Sequence, residues 1–143
     1  MEARAFLGRW HVTREIADRL GPDARFEGVA RISEADDGGW IYHETGRLGL
    51  AGGPGFEAER RYLWRPGSGG IDIAFADGRP FHRMPLEGGS ARHLCPPDTY
   101  EVRYEFAAWP LWEAVWTVSG PRKDYVMHSR YRQQDLQSGA PRG

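Results

Sequence analysis

Ionisable and metal-ligating side chains gather at four places along this sequence. The first is Glu44 with Arg60. Alternation puts Trp40, Tyr42, Glu44, Gly46, Leu48 and Leu50 on one face of a segment, and Phe56, Ala58, Arg60, Tyr62 and Trp64 on one face of the next. Pairing Leu50 with Phe56 sets Arg60 opposite Gly46 and diagonal to Glu44. The rest of both faces is aromatic, aliphatic or glycine, so the two charges should point inward. Buried charges are costly unless paired. They therefore form either a structural clamp or a site for a polar ligand, and Gly46 leaves space for either role.

The second place is a His/Cys hairpin. With Gly88-Gly89 as a two-residue turn, Glu87 pairs with Ser90, Met84 lies opposite His93, and His82 lies opposite Cys95. Two imidazoles, a thiolate and a thioether on one face are donors suited to copper or zinc. No His-x-x-x-His or Cys-x-x-Cys spacing supports such a site, so the expectation is a ligand-lining face with no metal. The plain alternative is that Met84 and Cys95 are core and the histidines bond locally.

The third place is Asp98, Tyr100 and Tyr104, after Pro96-Pro97. Inward tyrosine hydroxyls need partners and can bond a ligand carboxylate or carbonyl. They can equally be wall residues, with Asp98 capping the turn. The fourth is Arg122-Lys123 in the segment Gly120-Pro-Arg-Lys-Asp124. A hairpin pairing Val118 with Tyr125 makes both cations loop residues beside a barrel mouth, available to an anion or simply solvated. The expected ligand-binding set is Tyr42, Glu44, Arg60, Tyr62, His82, His93, Cys95, Tyr100, Tyr104 and Trp116. No catalytic residue and no cofactor is singled out.

Strands must position these groups. The chain has 143 residues, with 19 glycines, 10 prolines, 6 Trp, 6 Tyr and 6 Phe. Aromatic segments cut by glycine suit short strands and tight turns rather than helices. Turn signals divide the chain into strands over 9–18, 25–34, 40–50, 56–65, 71–76, 81–87, 90–95, 99–106, 111–119 and 125–133. Period-two alternation marks the inner faces: Tyr100, Val102, Tyr104 and Phe106; then Trp112, Ala114, Trp116 and Val118; then Tyr125, Met127, Ser129 and Tyr131. No crossover helix fits between strands, so the sheet should be antiparallel. A long meander has two exposed edges unless it closes. The expectation is an all-β, up-and-down barrel of about 8–10 strands, with a two-sheet sandwich as competitor. One domain should span 1–133, and the polar tail, 134–143, should fray.

Composition excludes several classes. Net charge is −1, with 19 basic and 20 acidic residues, which argues against nucleic acid as partner. No apolar run approaches a membrane span. The N-terminus lacks a secretory pattern, and the one cysteine cannot form an intrachain disulfide. A cytoplasmic location is the expectation. Gly-x-Ser-x-Gly, P-loop and dinucleotide fingerprints are missing.

Phe6-Leu-Gly-Arg-Trp10 resembles the Gly-x-Trp opening of lipocalins and the wider calycin group. The resemblance implies that the Trp plugs one barrel end beneath a basic residue of the last strand, here Arg130 or Arg132. The stretches Arg60-Arg-Tyr-Leu-Trp64, Gly78-Arg-Pro-Phe-His82, His93 to Tyr100 and Gly120 to Tyr125 make the chain similar, over most of its length, to an uncharacterised bacterial family of calycin-like domains. That family implies a barrel and no settled activity. The leading functional reading is therefore a barrel that binds a small amphipathic or carboxylate-bearing molecule. A second is a calycin-barrel enzyme, isomerase or decarboxylase in type, with Glu44 as acid/base and Arg60 holding an anion, aided by the tyrosines. A third is a haem- or metal-binding barrel, the haem case like the nitrobindins, although His128 falls on the outward face, and the metal case resting on His82, His93 and Cys95. A fourth is an interaction module using exposed Trp40 or Trp109.

Overall fold

A computed structural model describes residues 1–134. A 3-10 turn, Ala3–Phe6, precedes ten strands: β1 (Gly8–Asp18), β2 (Ala24–Glu34), β3 (Trp40–Leu50), β4 (Gly55–Gly67), β5 (Gly70–Phe75), β6 (Pro80–Pro85), β7 (Gly89–Cys95), β8 (Asp98–Glu105), β9 (Trp112–Gly120) and β10 (Lys123–Gln133). They form one antiparallel sheet, in the order β6-β5-β4-β3-β2-β1-β10-β9-β8-β7. Consecutive strands pair throughout, except that β1 also pairs with β10 and β6 does not ladder with β7. The meander thus curls into a nearly closed barrel with its one seam between β6 and β7. Beyond Gln134, the tail expected to fray lies outside the described residues. Among the described residues no helix is long and apolar enough to cross a membrane.

The inner faces follow the alternation. Val102, Tyr104 and Phe106 are buried on β8 and just beyond it, Trp112, Ala114 and Val118 on β9, and Ser129 and Tyr131 on β10. The end nearest the N-terminus is sealed. Phe6 lies edge-on to Trp64, Phe106, Trp109 and Trp112, with ring centroids 5.7, 5.5, 4.8 and 5.2 Å away. Trp10 is fully buried, and its Nε1–H donates to the Phe6 carbonyl at 2.8 Å. Trp10 therefore does plug the barrel end, but under Trp109 and Trp112 rather than under a cation. Arg130 lies on the outer surface with Glu15 and Glu113, and Arg132 is exposed beside His11. Trp40 and Trp109 are core residues as well, 5% exposed and half-buried respectively, so neither offers a free contact surface.

Burial declines along the strands away from that floor. On β3, Trp40, Tyr42 and Glu44 are buried, Gly46 and Leu48 half-buried, and Leu50 exposed. On β10, Tyr131 and Ser129 are buried while Met127 and Tyr125 are partly open. This gradient marks the opposite end as the mouth.

Two registers differ from expectation. On β3 and β4, Leu48 rather than Leu50 faces Phe56, so Arg60 lies directly opposite Glu44. The difference of two residues leaves every side chain on its expected face. The β6–β7 hairpin does not form. Met84 faces Ile71 and His82 faces Ile73 on β5, whereas His93 faces Tyr100 and Cys95 faces Asp98 on β8. Gly88 and Gly89 both take positive φ (87° and 105°) and turn the chain across the seam instead of closing a ladder. Pro80 and Pro85, which carry no N–H, bracket β6 as befits an edge strand.

Candidate functional site

The middle of the barrel holds a buried polar cluster organised by Arg14. Trp10, Val12 and Arg14 alternate along the inner face of β1, so the guanidinium enters the interior with the two apolar side chains before it. Its Nη1 and Nη2 donate to the two oxygens of Glu44 at 2.8 Å each, and its Nε donates to Ser129 Oγ at 2.7 Å. The Tyr42 hydroxyl donates to Glu44 Oε1 at 2.6 Å. Its single proton is then committed, so the Tyr131 hydroxyl, 2.9 Å away, donates to Tyr42. The Arg14 guanidinium also sits over the Phe26 ring, 5.2 Å from its centroid.

Paired glycines make that last contact possible. Gly28 and Gly46 face each other across β2 and β3. A Cβ on Gly46 would come within 2.6 Å of Gly28 Cα and of Phe26 Cζ, and would also meet the Glu27 carbonyl. Their absence lets the Phe26 ring lie flat across the sheet beneath Arg14.

Burial alone would raise the Glu44 carboxyl, but the hydrogen bonds and charge of Arg14 outweigh it and hold the group below the usual carboxylate range. Burial would likewise lower Arg14, and Glu44 reverses that. Burial pushes the Tyr42, Tyr104 and Tyr131 phenols up, so they remain donors. Glu44 is 1% exposed, ionised and saturated. It does not face the cavity above it, an arrangement suited to holding Arg14 rather than to acid/base exchange with a substrate.

Above this cluster lies a cavity of about 50 Å3, lined by Arg14, Tyr42, Arg60, Tyr62, Trp64, Ile73, Phe81, His82, Tyr104, Trp112, Ala114, Trp116 and Tyr131. Six expected ligand residues are brought together here: Tyr42, Arg60, Tyr62, His82, Tyr104 and Trp116. Arg60 keeps a loose contact with Glu44, Nε to Oε2 at 3.5 Å, and its side chain is 40% exposed. Phe81 stacks on Trp116 at 5.1 Å and on Tyr62 at 5.8 Å. A bulge between Ile73 and Ala74 turns both Phe81 and its neighbour His82 toward the cavity.

His82 crosses the seam. Its Nε2 lies 2.6 Å from the Tyr104 hydroxyl on β8. Burial, with a smaller contribution from His93, lowers its pKa to about 4, so the ring is neutral. Among the described residues, two buried side-chain atoms have no partner, His82 Nδ1 and Trp112 Nε1.

The other expected residues lie elsewhere. His93 is half-buried at the seam, edge-on to Phe81 at 5.3 Å, and outside the cavity lining. Cys95 is exposed at the end of β7, and Met84 is fully buried in the core. The four donors of the expected His/Cys face are therefore split between the cavity wall, the seam, the surface and the core. Among the described residues no three His, Cys, Asp or Glu side chains gather as metal ligands. Val118 faces Tyr125 as expected, but Lys123 opens β10 instead of standing in a loop. It bonds the Tyr100 hydroxyl at 2.6 Å and Asp98 at 3.2 Å, and the Tyr100 bond raises its pKa. Lys123 thereby stays protonated and is paired with Asp98, which is its partner rather than a turn cap. His128 pairs with Glu113 on the outer wall. Arg14, Phe81, Trp112 and Tyr131 were not among the expected site residues. The spacing Trp10–Val12–Arg14 was the available signal for the first.

An antiparallel meander of ten strands, closed around an aromatic interior with a sealed floor and an open mouth, is a calycin-type, lipocalin-like barrel. The chain belongs to a family of unknown function, DUF6314, whose profile it matches over residues 6–133. No curated protein matches the sequence. Among solved structures, the S-type phycobiliprotein lyase CPES from Guillardia theta is similar, with a TM-score of 0.66 at 8% identity over 91% of this chain and 89% of that one. At that identity the likeness is one of fold.

Proposed function

We propose that this barrel binds a small amphipathic carboxylate, with the anion on Arg60 and the apolar body against Phe81, Trp116 and Tyr62. The observation that carries this reading is a charge count. The cavity wall bears two guanidiniums, Arg14 and Arg60, and one carboxylate, Glu44, lies beneath them. Arg14 takes both Glu44 oxygens, which leaves Arg60 as a surplus positive charge facing an aromatic enclosure. A carboxylate is the complement of a planar guanidinium fork.

The enclosed space, about 50 Å3, is small beside the roughly 300–1,000 Å3 of sites that engulf drug-sized ligands. The ligand is accordingly small, or lies partly in the mouth. The fold likeness to a phycobiliprotein lyase supports a barrel that handles a small molecule, and the cavity size favours something smaller than a large chromophore.

Thermal unfolding with millimolar benzoate and with its neutral isostere benzamide tests the reading. Benzoate raises Tm and benzamide does not. The gain disappears in Arg60→Gln, a half-exposed position whose loss leaves the fold intact. No shift with benzoate, or a shift indifferent to Arg60→Gln, overturns the proposal.

A further inference from the structure

Phe81 is the middle ring of a stack that crosses the seam. It is 9% exposed and lies nearly parallel to three neighbours: 5.1 Å and 12° from Trp116, 5.8 Å and 24° from Tyr62, and 4.4 Å and 22° from Phe75. Tyr62 and Phe75 stand on β4 and β5, to one side of β6 in the barrel order, and Trp116 stands on β9, beyond the seam on the other side. The space left beside Phe81 is about 50 Å3. An apolar cavity that admits benzene measures about 150 Å3. An aromatic ring therefore enters this enclosure only where a side chain of similar size leaves it.

Phe81 is the side chain placed to leave. Along β5 and β6, Ala74 faces Pro80 and Ile73 faces His82, so the bulge leaves Phe81 with no opposite residue. On the other side of β6, β7 forms no ladder with it. Bulges are positions where a strand re-aims a side chain. Phe81 also borders two spaces at once, the interior cavity and an outer groove shared with Leu63, Ala74, Gly78 and Pro80. Trp116 and Tyr62 have no such freedom, because each is laddered on both sides, Trp116 to Met127 and Val102, and Tyr62 to Tyr42 and Phe75.

Building on the carboxylate reading, we infer that Phe81 is a gate standing in the ligand's ring site, and that the ligand is a planar aromatic carboxylate. The ligand's ring takes the place of Phe81 between Trp116 and Tyr62, while Phe81 turns out into the groove over Leu63 and Pro80. Arg60 stands two residues from Tyr62 on the same face of β4, about 7 Å along the strand, so a carboxylate on the edge of the stacked ring meets the guanidinium. Near-parallel walls accept a flat ring and reject a puckered one. Turning Phe81 out of its stack keeps the open form a minor one. With that form at about 10% or less, apparent affinity is at least about tenfold below that of a barrel held open.

The test uses the full chain with a 4-fluoro label on the Phe81 ring, followed by fluorine NMR. Saturating 2-naphthoate moves the resonance away from its stacked position toward that of a water-exposed fluorophenylalanine, and puckered decahydro-2-naphthoate does not. By titration calorimetry, Phe81→Ala binds 2-naphthoate at least about tenfold tighter than the parent, and Arg60→Gln weakens binding in both backgrounds. A mere hole left by truncation would take neutral naphthalene as readily and ignore Arg60, and that outcome overturns the inference. Equal affinity of parent and Phe81→Ala overturns it too. Should the Phe81→Ala variant not fold, the fluorine signal decides. An unmoved resonance with Arg60-dependent binding of 2-naphthoate overturns the gate and leaves the carboxylate reading standing. Absence of 2-naphthoate binding overturns the gate, and the carboxylate reading falls with it only where benzoate also leaves Tm unchanged.

Discussion

Arg14 and Glu44 meet through two parallel hydrogen bonds of 2.8 Å at the centre of the barrel, though they stand on strands that do not pair with each other. β2 lies between them, and the contact spans it because Gly28 and Gly46 keep the wall thin there. The pair ties β1 to β3 across β2, and Ser129 of β10 adds a third strand to the network. Removing either member leaves a charge in the core, at a cost of roughly 3–5 kcal/mol.

The two losses are expected to differ. Glu44→Leu leaves Arg14 and Arg60 facing each other with no carboxylate between them. Arg14→Leu leaves Glu44 with Arg60 at 3.5 Å and the Tyr42 hydroxyl at 2.6 Å. Urea unfolding should therefore rank Glu44→Leu as the more damaging, with the Arg14→Leu/Glu44→Leu double variant less damaging than Glu44→Leu alone. Additive losses would contradict the pairing.

Glycine substitutions separate close packing from ordinary turns. Gly46→Ala forces its methyl group onto Gly28 Cα and Phe26 Cζ, each at 2.6 Å. Overpacking of this kind costs about 1–3 kcal/mol. Three residues along the same strand, a Cβ on Gly49 would meet nothing within 4 Å, so Gly49→Ala should fall within about 0.5 kcal/mol of the parent. Comparable losses at both sites, read from denaturation midpoints, would argue against the thin-wall account.

The strand pattern was legible because it is local. Period-two alternation and glycine turns are written within a few residues, and they place the inner faces of β3, β4, β8, β9 and β10. The Leu48–Phe56 pairing departs from the expected register by two, and that leaves Glu44 and Arg60 facing inward. What escaped is non-local. The partner of β6 is decided by which neighbour its edge can reach, so His82 joined Tyr104 rather than Cys95. The bulge that turns Phe81 inward breaks the very alternation on which a sequence reading depends. Arg14 was readable in principle, since it shares parity with Trp10 and Val12, but an arginine in a strand is ordinarily a surface residue.

Phe6 is another residue whose weight is invisible locally. It sits in a four-residue 3-10 turn, before the first strand, yet it is fully buried among Trp64, Phe106, Trp109 and Trp112. Phe6→Ala should cost about 3–5 kcal/mol, as for other buried aromatic truncations. It should also admit water to the floor, seen as a red shift of tryptophan emission in the folded variant. An unshifted spectrum with parent-like stability would mean that the floor closes without it.

Acid should weaken the barrel in two windows. Burial, followed by His93, lowers His82 from 6.5 to about 4. Between those values the unfolded chain takes up a proton that the folded ring refuses. Stability is thus fully present above about pH 6.5, declines as pH falls toward 4, and loses nothing further from this group below that. The whole window is worth about 3 kcal/mol. Glu44 acts in the same direction but lower. Its carboxyl is held below 4.5, chiefly by Arg14 against the opposing effect of burial, so its contribution is present above that value and lost as pH falls through the folded pKa. Urea midpoints at pH 7, 6, 5, 4 and 3 resolve the two. His82→Gln removes the titrating ring, so its midpoints should vary less between pH 6.5 and 4.5 while the decline below 4.5 persists. Parent-like pH dependence in that variant across the upper window would mean that another group carries the loss and that His82 titrates freely in the folded barrel.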